Sequence, residues 1–229
     1  MIHSADHRST LRFVLETAEG LGLLPLVLLT WPLSRRRLAN WGSRPAERDR
    51  TWPGDALVTD MHRSYTRAID IAAASSDVWQ WVVQFGLGRA GFYSYELFER
   101  IVGIPVKNVE SVISELQSLS VGDEIRLHPK APGIPVGLLE PGAHVCYGTL
   151  DDPGVGNSKP DPGRSWSMYI LPTGPNSSRL VLRGCIEPVR QPSLSKWLSL
   201  ALDAPIDFLM EQRMLRTIRR LAESNTGTA

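Results

Sequence analysis

The chain has 229 residues, of which 42% are hydrophobic, and its 25 basic and 24 acidic side chains give a formal net charge of +1. This length suits one large domain, or one domain with an appendage, and provides enough apolar side chains for a sizeable core. The balanced charge excludes the strong basic excess typical of nucleic-acid-binding domains, so we expect no nucleic-acid partner.

Cysteine and histidine are sparse. Cys146 and Cys185 both lie in apolar, strand-like runs, no C-x-x-C pair exists, and the five histidines lack the spacing of metal ligands. We therefore predict no metal site and no other cofactor. Buried reduced thiols are the expected state of the cysteines, and a disulfide between them stays open.

Residues 1–40 differ in composition from the rest of the chain. In segment 20–37, the fourteen residues 20–33 are uncharged and three arginines follow at 35–37; Glu16 and Glu19 precede the segment. Fourteen residues are fewer than the ~20 that cross a bilayer, so we predict an apolar helical appendage and not a membrane span. Two interpretations remain: the segment packs on its own domain or on a second subunit as a homodimer contact, or it lies on a membrane surface with the arginines at anionic head groups.

The predicted location follows from the same segment. The acidic residues beside the apolar run, and the lack of a small-residue cleavage site after it, do not fit a secretory signal. We expect a cytoplasmic protein, peripheral to the inner face of the membrane if the second interpretation holds.

Residues 41–60 are rich in tryptophan, glycine and proline. Pro53-Gly54 favours a turn, and Trp41 and Trp52 would gain nothing from exposure to water. We predict an ordered linker that wraps onto the following domain.

A strand over 64–72 is followed by a glycine-rich segment that decides the fold class. Gly86, Gly88 and Gly91 match the spacing of a dinucleotide-binding loop, which requires a strand before the glycines and a helix after them. The residues before these glycines instead repeat at one face of a helix: Val78, Trp81, Val82 and Phe85. The pattern predicts a helix that ends in a glycine turn, with no nucleotide site.

The remaining elements are mostly strands. A second helix is predicted near 93–102 and a short one over 110–119. Strands are then predicted over 124–128, 144–150, 165–171 and 179–187, with a loop over 151–163. A long helix from 192 to 223 closes the chain, and Pro205 within it predicts a kink or a break near Ala204. Consecutive strands with short connections favour an antiparallel sheet, so we predict an α+β fold.

At this point the chain resembles a known superfamily. The motifs that carry the resemblance are Trp41-Gly42, Pro53-Gly54-Asp55, the segment 78–96, the strand 179–183 and the run 208–222. Together with the order of elements they resemble the helix-grip (START-like, Bet v 1-like) SRPBCC superfamily, and within it a bacterial polyketide-cyclase-like subgroup. The resemblance covers about residues 41–223. It implies an antiparallel sheet wrapped around a long C-terminal helix over 61–223, and the remaining 224–229 are predicted to be a disordered tail.

The predicted function follows from the cavity between the sheet and the last helix. Such a cavity would bind a hydrophobic small molecule, polyketide-like or lipid-like, and could support its cyclisation by acid–base chemistry. The alternatives are a non-catalytic carrier of a lipid or other hydrophobic ligand, or a membrane-associated scaffold.

Three residues are candidates for catalysis. Arg183 shares one strand face with Arg179 and would present a fixed cation, unless it lies at the rim of the sheet. His128 is chosen as an acid or base because its pKa is ordinarily near neutral, although a histidine before proline is often a loop residue. Glu96 could act as a base if buried, and otherwise belongs to a solvated helix.

Further side chains are predicted to contact the ligand, each with packing in the core as the alternative. They are Trp81, Tyr93, Tyr95, Asn108, Tyr147, Trp166, Met168 and Tyr169.

Overall fold

The computed structural model describes residues 2–148, 163–189 and 193–225. Most of the predicted loop 151–163, and residues 226–229 of the predicted tail, lie outside these ranges.

Helices stand at both ends of the described chain, and the sheet lies between them. The helices are α1 (Ile2–Ala39), α2 (Pro45–Asp49), α3 (Ser75–Val83), α4 (Glu96–Ile101) and α5 (Leu194–Asn225). The strands are β1 (Arg63–Ile71), β2 (Glu124–Ile125), β3 (Ile134–Glu140), β4 (His144–Tyr147), β5 (Arg164–Gly174) and β6 (Ser177–Ile186). Single 3-10 turns occur at Pro53–Leu57 and Ser114–Leu116.

The six strands form one antiparallel sheet in the order β1-β6-β5-β4-β3-β2. Helices α3 and α5 pack on its inner face, and the residues between them and the sheet form the main core. A sheet of consecutive antiparallel strands against a long C-terminal helix, with an apolar N-terminal helix, is the predicted α+β architecture and is consistent with the helix-grip fold. The predicted fold class is confirmed.

The glycine turn is also as predicted. Gly86, Gly88 and Gly91 follow helix α3, and their φ angles of +133°, +76° and +92° favour glycine. The turn closes when the Gly86 amide donates to the Gly91 carbonyl at 3.0 Å. These residues therefore reverse the chain after a helix and do not open a nucleotide-binding helix.

Three secondary-structure predictions were wrong in detail. No strand was predicted over β3, because four prolines break up this part of the chain: Pro129, Pro132, Pro135 and Pro141. Pro135 has no N–H to donate, but its carbonyl still takes part in the pairing and accepts a hydrogen bond from the Gly148 amide at 2.9 Å. Segment 110–119 forms only a 3-10 turn, and α4 begins at Glu96, after Tyr93 has taken a φ of +57°.

Residues 41–58, which we call the outer layer, cover the opposite face of the sheet. Trp52 and Leu57 pack there against Val181 and Tyr169, and the rings of Trp52 and Tyr169 are 4.4 Å apart. A buried ion pair between Glu47 and Arg179 fastens α2 to β6. Both faces of the central strands are consequently removed from water.

Helix α1 packs along α5. Val27 is buried against Phe208 and Leu209, and Arg213 of α5 forms ion pairs with Glu16 and Glu19. By length and composition alone, Thr10–Ala39 is long and apolar enough to cross a membrane.

Candidate functional site

A cavity of about 560 Å³ lies between the inner face of the sheet and α5, and α1 and α4 close its sides. Its walls are largely apolar and come from every surrounding element. Representative side chains are Leu24, Phe85, Phe92, Phe98, Ile104, Leu209 and Met214. This volume is in the range that holds a drug-sized molecule, roughly 300–1,000 Å³.

The floor of the cavity is a row of residues across the sheet. Tyr147 of β4 pairs with Trp166 of β5, Trp166 pairs with Gly184 of β6, and Gly184 pairs with Tyr65 of β1. The Tyr65 ring lies over Gly184, where a Cβ atom would be 2.3 Å from two ring carbons. Because residue 184 has no side chain, the phenol can extend across the strand towards α5.

Glu211 of α5 is held above this row by three donors. The Tyr65 hydroxyl donates to Glu211 Oε1 at 2.7 Å, and the Trp166 indole N–H donates to the same oxygen at 2.9 Å. Arg67, which is buried, forms an ion pair with the other oxygen. Such charge-assisted bonds fix the carboxylate in one orientation beside the cavity.

A second carboxyl group lies one helical turn before Glu211. Asp207 lines the cavity, and burial together with the negative charge of Glu211 raises the pKa of Asp207 to about 7. Arg164 also lines the cavity and lies 3.7 Å from Asp203, four residues earlier on α5. A group with a pKa near neutral can both accept and donate a proton at physiological pH.

Glu99 of α4 provides a third carboxyl group. Its side chain is buried at the cavity wall and accepts a hydrogen bond from the Ser94 hydroxyl at 2.8 Å. Burial raises the pKa of Glu99. The cavity is therefore apolar with a small number of polar groups, which is the usual composition of a small-molecule site.

In this row, the Tyr147 hydroxyl is a polar group without a hydrogen-bond partner among the described residues. Tyr147 is 1% exposed, and within the described part of the chain its oxygen has no hydrogen-bond partner. Burial raises the pKa of Tyr147, so the hydroxyl stays protonated and can donate.

Two of the residues predicted to contact a ligand, Tyr147 and Trp166, line the cavity. Trp81 and Met168 are fully buried core residues outside its wall. Tyr95 is buried beneath α1, where Arg213 lies over its ring.

Tyr93 and Asn108 stabilise the glycine turn and do not line the cavity. The Tyr93 hydroxyl accepts a hydrogen bond from Gln84 at 2.8 Å. Asn108 Oδ1 accepts from the Phe92 and Tyr93 amides at 3.0 and 2.7 Å, which holds the chain where it leaves the turn.

The structure corrects the expected direction of Arg183 and Tyr169. Both point to the outer layer, away from the cavity. Arg183 forms a buried ion pair with Asp55 at 2.7 Å, and the Tyr169 hydroxyl accepts from the Gly54 amide at 2.9 Å. Arg183 does share a face with Arg179 as predicted, but the outer layer covers that face and the cavity lies against the other.

His128 and Glu96 lie outside the cavity wall. His128 Nδ1 accepts a hydrogen bond from the Lys130 amide at 3.1 Å in the turn after β2. Glu96 accepts from the Asn108 amide at 2.7 Å and pairs with Arg100 at 3.0 Å. Glu96 thus caps a local loop, and its neighbour Glu99 occupies the position at the cavity.

Four polar residues of the cavity were not predicted from the sequence: Tyr65, Glu99, Asp207 and Glu211. A signal for the last two was present, because each directly follows an apolar residue, Ile206 or Met210, in a row that continues along α5 at helical spacing with Met214, Ile218 and Leu221. Among the described residues, no group of three or more His, Cys, Asp or Glu side chains could hold a metal ion.

The chain is similar to several solved structures at low sequence identity. No family model and no curated protein matches the chain. Among solved structures, XoxI from Bacillus cereus is 15% identical with a TM-score of 0.43, and the match covers 73% of this chain and 100% of that one. An uncharacterised protein from Bacillus thuringiensis is 14% identical with a TM-score of 0.39, covering 69% and 97%.

A third similar structure is StfQ, a di-domain ARO/CYC protein of the steffimycin biosynthetic pathway. It is 17% identical with a TM-score of 0.39, and the match covers 72% of this chain and 52% of StfQ. All three TM-scores are below 0.5, so the function must be inferred from the cavity itself.

Proposed function

We propose that this protein binds an apolar small molecule, polyketide-like or lipid-like, that carries an oxygen atom at the end lying against the sheet. The observation that carries the proposal is a cavity of about 560 Å³ with apolar walls, lined in its floor by Tyr147, whose buried hydroxyl has no hydrogen-bond partner among the described residues. A buried polar group without a partner costs about 1–3 kcal/mol. A carbonyl or hydroxyl oxygen of a ligand would supply that partner.

The fixed carboxylate supports a preference among such ligands. Glu211 Oε1 already accepts two hydrogen bonds and Oε2 pairs with Arg67. An anionic ligand group placed beside this carboxylate, and beside Asp207 when it is ionised, would be repelled. We therefore expect a neutral oxygen function rather than a free carboxylate at this end of the cavity.

Ligand binding is tested with purified full-length protein in two ways. Native mass spectrometry should detect a co-purifying apolar compound, and the fluorescent naphthyl ketone prodan should bind with a blue-shifted emission. Filling the cavity by Met210→Trp should weaken prodan binding at least about 10-fold, since the new ring occupies the ligand volume. Val121→Trp, at an exposed turn outside the cavity, is the matched control. The proposal fails if wild-type protein carries no compound and takes up no prodan.

A second candidate is acid–base catalysis on the bound molecule, including cyclisation. It is favoured by the two cavity-lining carboxyl groups with raised pKa, Asp207 and Glu99. In this role one group would accept a proton from an acidic carbon of the ligand, and the protonated form of the other would donate to a carbonyl oxygen.

Carrier and catalyst are distinguished by the compound that co-purifies. A carrier should yield the same mass from wild-type, Asp207→Asn and Glu99→Gln proteins expressed in the same host. A catalyst should yield its product from the wild type and an unconverted precursor from the variants.

A further inference from the structure

The outward face of α1 is apolar along most of its length. Leu15, Leu29 and Leu33 are 62%, 80% and 94% exposed, and Leu11, Val14 and Leu26 are also more than half exposed. The only acidic residues between 10 and 39 are Glu16 and Glu19. Contiguous apolar surfaces of this kind mark sites of interaction.

The opposite face of α1 is fixed to the domain. Val27 is buried on α5, and Glu16 and Glu19 pair with Arg213. Crossing a membrane would break these contacts and place two carboxylates in hydrocarbon. Helix α1 therefore stays packed on α5, and its outer apolar face is exposed along the length of the helix.

The mouth of the cavity continues this surface. Five apolar side chains that line the cavity are also exposed: Leu21, Ile101, Val102, Leu127 and Ile206. They come from α1, α4, the segment after β2, and α5, and so form an apolar rim. Leu21 belongs both to this rim and to α1, which makes the two surfaces continuous.

Positive charge lies at one end of the same surface. Arg35, Arg36 and Arg37 are exposed at the end of α1, and Arg36 follows Leu29 and Leu33 at helical spacing. An apolar helical face that ends in exposed arginines complements a bilayer with anionic head groups. In a symmetric pair with parallel α1 helices, the two arginine clusters would repel each other, and this face supplies no carboxylates to neutralise them.

We propose that the outer face of α1 and the apolar rim dock on an anionic lipid bilayer. Helix α1 lies in the plane of the membrane surface, and the cavity mouth faces the acyl chains, so that an apolar ligand passes between bilayer and cavity without entering water. The docking is inferred only from the apolar face, the rim and the arginines, whereas the ligand transfer rests on the proposed function.

The test is flotation of the full-length protein with vesicles of pure phosphatidylcholine, or of phosphatidylcholine with 30% phosphatidylglycerol. Binding should require the anionic lipid and weaken at high salt. Replacing the three arginines at 35–37 by glutamine should weaken it on the order of 100-fold, about fivefold for each arginine. Leu29→Glu with Leu33→Glu should abolish it, and Val121→Glu, at an apolar residue that is also exposed but lies outside the surface, should not.

Each alternative has a distinct result. Absence of wild-type binding, or binding that resists carbonate extraction, overturns the proposal. The proposal is also overturned if the wild type binds no vesicles and light scattering shows a dimer that the double substitution Leu29→Glu and Leu33→Glu dissociates. A second copy of the chain would then cover the surface. Prodan uptake in vesicle-free solution should be unchanged in that double variant. A wild-type protein that carries no co-purifying compound and takes up no prodan would refute the proposed function and leave the docking result standing.

Discussion

Replacing Tyr147 by phenylalanine should have opposite effects on the stability of the empty protein and on ligand binding. The side chain is 1% exposed and its hydroxyl has no hydrogen-bond partner in the described chain. In the empty protein, Tyr147→Phe removes a buried polar atom that gains nothing from folding. The free energy of unfolding should rise by about 1 kcal/mol, the lower end of the cost of an unsatisfied group. For a chain of this size that is an increase of about 2–4 °C in Tm.

The same substitution should weaken a ligand that bonds to the hydroxyl. A neutral hydrogen bond contributes about 0.5–1.5 kcal/mol, so the Kd of the ketone prodan should rise about 2- to 10-fold. The hydrocarbon diphenylhexatriene has no oxygen, and its Kd should stay the same. Fluorescence titration measures both constants, and differential scanning calorimetry measures Tm.

Tyr93→Phe is the matched control. Tyr93 is equally buried but its hydroxyl accepts from Gln84, and it lies outside the cavity wall. Its loss should destabilise the protein by about 1 kcal/mol and leave both probes unaffected. A Tyr147→Phe protein that is less stable than the wild type, or that binds both probes equally weakly, would show that the hydroxyl has a structural role and refute the reasoning.

Three further substitutions test other parts of the structure. Arg183→Ala should lower the free energy of unfolding by about 3–5 kcal/mol in urea titrations, because it leaves Asp55 as an unpaired buried charge; a loss below about 1 kcal/mol would contradict the buried pair. The Asp207 carboxyl ionises near pH 4 when unfolded and near 7 when folded, so the folded state retains a proton between these values and loses stability as the pH rises. The gain in Tm from Asp207→Asn should therefore grow from pH 4 to pH 7, and a gain independent of pH would contradict the raised pKa. Gly184→Ala should cost about 1–3 kcal/mol because its Cβ meets the Tyr65 ring, and a calorimetric double-mutant cycle with Tyr65→Ala should show the two changes to be non-additive.

Periodicity in the sequence was enough to predict the order of most elements. The helical spacing of Val78, Trp81, Val82 and Phe85 predicted α3, and it showed that the following glycines form a turn. Short connections between strands predicted antiparallel pairing. These signals are local, since each depends on residues within one or two turns or one hairpin. Strand β3 was missed because Pro135 is a local signal against a strand, and pairing with β4 overrides it.

The site depended on contacts that no local pattern contains. Alternation along β6 showed that Arg179 and Arg183 share a face, but only the packing of residues 41–58 decided that this face is turned away from the cavity. Tyr65 and Glu211 are 146 positions apart, yet their side chains meet because Gly184 leaves space between them. Alternation along a strand determines which of its side chains share a face of the sheet. What covers each face is set by the free energy of burying distant segments, and so is decided only in the folded chain.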